Sequence, residues 1–167
     1  VDLPMNIRIA QQQDLPALLD IYNEEVLGGT ATFDIHPQTL AERQHWFDEH
    51  NQENHPLLVA EMDGQVAGYA SLSGYRSKEA YSATVELSIY VGKAYRRQGV
   101  AKTLMKAILA MARGDERTHR VVSVITGGNE ASIRLHERFG FTHCGTIHEV
   151  GRKFGRYLNT DTYELPV

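Results

Sequence analysis

Apolar and polar positions alternate along some stretches of the chain and recur at helical spacing along others. Asn6-Ile7-Arg8-Ile9-Ala10 alternates and predicts a short first strand. Leu15, Leu18, Leu19, Tyr22 and Val26 then mark one helix face, with Asp14 as N-cap, Pro16 in the first turn and Gly28-Gly29 as the stop. A loop over residues 30–35 carries Thr32 and Phe33, and a second helix runs from Pro37 through Leu40, Trp46 and Phe47 to near His50. Residues 56–62 and 65–73 read as two strands joined by the tight turn Asp63-Gly64. A polar loop with Tyr75, Arg76 and Tyr81 leads to a strand in which Val85, Leu87, Ile89 and Val91 alternate with Glu86, Ser88 and Tyr90. After Gly99 the period changes, and Ala101, Leu104, Met105, Ile108, Met111 and Ala112 share a helix face. Residues 120–125 form another apolar strand, Asn129 opens a helix that stops at Gly140, and residues 141–150 and 156–165 close the chain as two strands. The order is strand, two helices, three strands, helix, strand, helix, two strands. That is a mixed α/β pattern over a single domain, 1–167.

Composition narrows the function classes. A net charge of −4 argues against a general nucleic-acid binder. No apolar run approaches a membrane span and no secretory signal is visible, so no membrane or nucleic-acid partner is expected. The single cysteine, Cys144, rules out an internal disulfide and agrees with a cytoplasmic protein. Val1-Asp2-Leu3-Pro4 ahead of Met5 reads as a cloning remnant and is left out of the fold argument.

The chemistry concentrates where the central strand meets its helix, at Arg96-Arg97-Gln98-Gly99-Val100-Ala101-Lys102. A helix N-terminus offers free backbone N–H groups and partial positive charge, which suits phosphate. Arg96, Arg97 and Lys102 add full charges, and Gly99 removes a side chain where backbone must approach a ligand. The plain alternative is an ordinary strand-to-helix turn with solvated arginines. The stretch resembles the acetyl-CoA site of the GNAT acetyltransferase superfamily, whose signature is [Gln/Arg]-x-x-Gly-x-[Gly/Ala]. That resemblance implies the GNAT fold, a mixed and mostly antiparallel central sheet flanked by helices. It also implies acetyl-CoA as cosubstrate, held by residues 96–102, with backbone amides around Ile89, Tyr90 and Val91 polarising the thioester carbonyl.

Asn129-Glu130-Ala131-Ser132-Ile133-Arg134-Leu135-His136 places Asn129, Ser132 and His136 along one helix face. Capping by Asn129 with two solvated side chains is the simpler reading. The segment is also similar to the second acetyl-CoA motif of the superfamily, where the Asn contacts the pantetheine arm. Many members carry a thiolate-protonating Tyr where His136 stands. The pattern resembles the phosphinothricin acetyltransferase-like branch, and Tyr22-Asn23-Glu24-Glu25-Val26, Thr32-Phe33, Tyr75-Arg76, residues 84–91 and residues 150–158 look like its landmarks. Branch members acetylate the α-amine of phosphinothricin, methionine sulfoximine or methionine sulfone. Two departures stand out: the second Arg that several members carry near Ser82 is missing, and Tyr157 stands where a Trp is common.

Glu86 is the sharpest candidate. A carboxylate in an apolar strand is costly without a partner or a task, and the alternatives are a structural ion pair or a base for the acceptor ammonium. The branch resemblance puts its base or amine-binding carboxylate at this position. Arg76, with a planar fork suited to a carboxylate or an oxidised sulfur or phosphorus group, joins Tyr75, Phe33 and Glu86 as the expected acceptor-binding set. Neither His45 with His50 nor His50 with His55 has metal-ligand spacing on a helix, so no metal is assigned. Cys144 lacks a nucleophile's setting, which favours direct transfer over an acyl-enzyme. The expectation is an N-acetyltransferase for a small amino acid or analogue, with Glu86 and His136 catalytic, and a homodimer through the final strands by resemblance. An acetyltransferase for a polyamine or protein N-terminus and a non-catalytic acyl-CoA sensor are the rivals.

Overall fold

The computed structural model describes residues 4–167, and 1–3 of the expected cloning remnant lie outside the described residues. The elements follow the predicted order: β1 (Met5–Ile9), α1 (Leu15–Gly28), α2 (Leu40–Asp48), β2 (Leu57–Met62), β3 (Gln65–Gly74), β4 (Thr84–Val91), α3 (Val100–Arg113), β5 (Arg120–Thr126), α4 (Glu130–Arg138), β6 (Thr142–Lys153) and β7 (Arg156–Pro166). They build one seven-stranded sheet in the order β1-β2-β3-β4-β5-β7-β6. Every neighbouring pair is antiparallel except β4 with β5.

Two helix starts differ in detail from the sequence reading. The second helix starts at Leu40, not Pro37, because Thr39 caps it: its hydroxyl accepts from the Glu42 amide at 3.2 Å while Glu42 returns to the Thr39 amide at 3.1 Å. Asp14 precedes α1 but makes no side-chain cap. Its carboxylate is taken by Arg8, at 2.7 and 2.9 Å, and by the Gln11 amide, and the Arg8 guanidinium holds it below the ordinary carboxylate range.

The two sheet faces carry different loads. Val85, Leu87, Val121, Ile125 and Leu165 share one face with Val100, Leu104, Met105 and Ile108 of α3, and Ile133, Leu135 and Phe139 pack against the same core. On the opposite face Leu18 and Ile21 of α1 and Trp46 and Phe47 of α2 cover Leu57, Val59, Tyr69 and Tyr90. Helices α1 and α2 thus lie over β2, β3 and β4. The corresponding face of β5, β7 and β6 keeps Val124 and Ile147 exposed.

Candidate active site

The parallel pairing of β4 with β5 is short. It covers only Thr84 with Arg120, Val85 with Val121 and Glu86 with Val122, after which the strands part. On its other side β4 stays paired with β3 as far as Val91. Strand alternation settles which amides face the gap. The Ala83 carbonyl accepts from His119 and Arg120 on the β5 side, and the Gly92 amide donates to Ala67 on the β3 side. With a period of two, the N–H groups of Ile89 and Val91, beyond the pairing, point into the opening. The opening is a cleft of about 840 Å³ lined by β4, the end of β5, the turn before α3 and one side of α4.

At the mouth of the cleft, α3 begins without a side-chain cap, so its first amides are free. Gly99 sits there at φ +79, in the left-handed region, and a Cβ on it would point into open space. Arg97 also has positive φ, at 63. Arg96, Arg97, Gly99, Val100, Ala101 and Lys102 all line the cleft, whereas Gln98 turns away and donates to the Ala94 carbonyl at 3.3 Å. Arg96 is shared with Glu25 at 3.4 Å. Free N–H groups, cationic side chains and a residue without a side chain make a cradle that fits a pyrophosphate-bearing cosubstrate.

Along the other wall Asn129 accepts from the Ser132 amide at 3.3 Å, so its capping role is real. Its side-chain amide group makes no hydrogen bond among the described residues, and Asn129 and Ser132 both line the cleft. His136 lines it too, only 6% exposed. Its Nδ1 donates to the Ser132 carbonyl at 2.7 Å, which leaves Nε2 as the acceptor of the Ser123 hydroxyl at 2.8 Å. Burial holds this imidazole below the ordinary histidine range.

Glu86 is the last β4 residue paired with β5 and stands at the apex of the opening, opposite Ser73 of β3. Burial alone pushes its carboxyl above the ordinary glutamate range. Among the described residues it makes no ion pair, so the ion-pair alternative finds no partner. Its face continues through Ser88 to Tyr90, which stacks on Tyr22 at 5.6 Å.

The other expected acceptor-binding residues come from two further segments. The Phe33 ring lies against Gly151 of β6, where any side chain would collide with it. Arg76 is fully exposed over Tyr75, at 5.0 Å, and Tyr75 meets Tyr81 edge-on. This cluster sits just past the end of β3, beyond the register pair Ser73 and Glu86.

Three features escaped the sequence reading. Ser123 interrupts an apolar strand on the face of Val121 and Ile125, a small signal that was available. Lys153 is buried and donates to the Thr32 carbonyl at 2.9 Å, tying the loop after α1 to β6. Arg43, 3% exposed, lies between the rings of Tyr22 and Trp46 and donates to the Tyr69 hydroxyl at 2.5 Å. Among the described residues no cluster of three His, Cys, Asp or Glu side chains could hold a metal, and no helix is long and apolar enough to cross a membrane.

Comparison with known proteins adds a family to this geometry. Residues 15–141 match the acetyltransferase (GNAT) family. The chain is 42% identical to an L-methionine sulfoximine/L-methionine sulfone acetyltransferase of Pseudomonas paraeruginosa, over 96% of this chain and 93% of that one. It is 40% identical to a phosphinothricin N-acetyltransferase of Streptomyces coelicolor, over 98% and 96%. The crystal structure of a GNAT superfamily phosphinothricin acetyltransferase from Sinorhizobium meliloti in complex with acetyl-CoA superposes with a TM-score of 0.93, at 33% identity, covering 98% of this chain and 88% of that one. Sequence and three-dimensional likeness agree over nearly the full length, and the chain belongs to the acetyltransferase (GNAT) family as an N-acetyltransferase that uses acetyl-CoA.

Proposed function

We propose that this protein, as one domain over 1–167, moves the acetyl group of acetyl-CoA directly to the α-amine of a small amino acid or analogue of the phosphinothricin, methionine sulfoximine or methionine sulfone type. The observation that carries the reading is Glu86: a carboxylate without an ion-pair partner, raised in pKa by burial, at the apex of the β4/β5 opening. The relatives named for those substrates support the acceptor class.

Acetyl-CoA supplies an activated thioester. The uncapped turn of α3, with Arg96, Arg97, Gly99, Val100, Ala101 and Lys102, takes its phosphates, and Asn129 and Ser132 take the pantetheine arm. Glu86 removes a proton from the acceptor ammonium, directly or through water, because only the free amine attacks a thioester. The N–H groups of Ile89 and Val91, with Tyr90 between them, polarise the thioester carbonyl in the gap beside β5. His136 returns a proton to the departing thiolate. Arg76, with Tyr75 and Phe33 around the acceptor, meets its anionic group.

The reading extends to a cytoplasmic homodimer joined through the final strands. Val124, Ile147, Val150, Phe154 and Tyr157 are between 47% and 62% exposed on or beside strands that α1 and α2 leave bare. A second copy is the partner that would cover them.

A thiol-release screen tests the function. The purified protein is supplied with acetyl-CoA and a panel of free amino acids, sulfone and sulfoximine analogues, phosphinothricin, polyamines and peptides with free N-termini. Release above the acceptor-free rate with the amino-acid analogues supports the reading. Release with polyamines or peptides alone transfers the assignment to those classes, and release with nothing points to an acyl-CoA sensor.

A further inference from the structure

The two faces of the sheet meet the apex of the β4/β5 opening with different chemistry. Glu86 is the last paired residue of β4 and lies on the face that α1 and α2 cover. Its β5 partner is Val122, so Ser123 is the first β5 residue beyond the pairing. Ser123 shares the opposite face with Val121 and Ile125, beneath α4, and lines the cleft. It is 2% exposed.

The histidine behind it has little freedom. Nδ1 is committed to the Ser132 carbonyl at 2.7 Å, and Phe141 meets the ring edge-on at 4.9 Å. Nε2 is the one ring nitrogen that can exchange a proton with the cleft, and the Ser123 hydroxyl sits on it at 2.8 Å. A proton moving between His136 and the apex therefore passes through Ser123 Oγ. The Ser132 hydroxyl is no substitute, since it lies 3.5 Å from Nδ1, the nitrogen already engaged.

We propose that Ser123 is a proton-transfer residue of the acetyl transfer, passing a proton from His136 to the CoA sulfur. The inference rests on the acetyltransferase reading above. When the carbon–sulfur bond breaks, the electron pair stays on sulfur. The Ser123 O–H proton goes to that sulfur as the Nε2 proton of imidazolium His136 goes to Ser123 Oγ. Serine ends unchanged, and His136 ends neutral with its remaining proton on Nδ1, which is the hydrogen-bond pattern observed. Between turnovers water in the emptied cleft returns a proton to Nε2 along the same path, through Ser123 Oγ. Base and acid then act from opposite faces, with the amine approaching from the Glu86 side and the thiolate served from the Ser123 side.

The test uses the full chain with Ser123→Ala and Ser123→Thr. Ser123→Ala should lower kcat by about 100-fold, the low end for losing acid–base assistance, with the KM for acetyl-CoA little changed. Ser123→Thr, which keeps a hydroxyl, should recover most of it. A second readout needs no turnover: calorimetry of free CoA against desulfo-CoA. Wild type should prefer CoA by roughly ten-fold through the hydroxyl–sulfur contact, and Ser123→Ala should erase the preference while Ser123→Thr retains it. Wild-type kcat in Ser123→Ala, failure of Thr to rescue, or an unchanged preference over desulfo-CoA overturns the proposal. If wild type acetylates none of the acceptors, the function reading fails on its own, and the calorimetric comparison still decides whether Ser123 meets the sulfur.

Discussion

A carboxylate that a strand half-buries without a counter-ion lowers stability, and Glu86 is such a group. Its folded pKa is raised above the ordinary 4.5, so the folded protein holds that proton more tightly than the unfolded chain does. The stabilising contribution is complete below the ordinary value and is lost as pH rises through the folded pKa. At neutral pH the charged carboxylate therefore weakens the fold. Glu86→Gln should melt higher than wild type at pH 7 and lose that advantage as pH falls below about 4.5, which scanning calorimetry across pH will show. The same variant should lose about 100- to 10,000-fold in kcat at neutral pH and regain part of it at higher pH, where more of the acceptor amine is free. Equal melting temperatures and wild-type turnover would remove Glu86 from the mechanism. Arg76 belongs to the same scale. Arg76→Ala should raise the KM of the acceptor by roughly ten-fold or more and spare acetyl-CoA, if its fork meets the acceptor's anionic group. A decarboxylated acceptor should lose little more with the variant, because the partner is already gone. Losses that simply multiply would separate Arg76 from the acceptor's carboxylate.

Two helix starts carry the element-scale predictions. Gly99 caps α3 at φ +79, a conformation that any side chain strains. Gly99→Ala adds a methyl group facing the space where phosphate must approach. Isothermal calorimetry should show at least a ten-fold weaker acetyl-CoA affinity, and unchanged affinity in a folded variant would put the cosubstrate elsewhere. Thr39 caps α2 through a reciprocal pair with Glu42, and that helix covers Tyr69 with Arg43 and Trp46. Thr39→Ala should cost about 1 kcal/mol in denaturant unfolding with little effect on the chemistry. The Thr39 cap also explains why α2 begins three residues later than its apolar pattern suggested. The local pair at Thr39 and Glu42 sets the first turn.

At the scale of the molecule, the helices cover both sheet faces unequally, and the bare stretch of β5, β7 and β6 is where a second copy would pack. Ile147→Asp together with Val124→Asp places charge in that face. Light scattering on the eluting protein should find two chains per particle for wild type and one for the variant. A wild type that elutes as one chain would end the dimer reading. The sequence by itself determined the element order and the cationic turn at Gly99. Those features rest on local periods and on residues whose backbone preferences act within a few positions. It also singled out Glu86, because one acidic residue in an apolar strand is visible without a fold. Only the tertiary structure decided that β4 and β5 part after Glu86, since strand separation depends on which neighbours pair and not on either strand's pattern. The same holds for Ser123 on His136, for Lys153 reaching Thr32 across 121 residues and for Arg43 enclosed by rings. A residue's period fixes which face it occupies. Its partner on that face comes from another part of the chain, and that meeting exists only once the sheet is assembled.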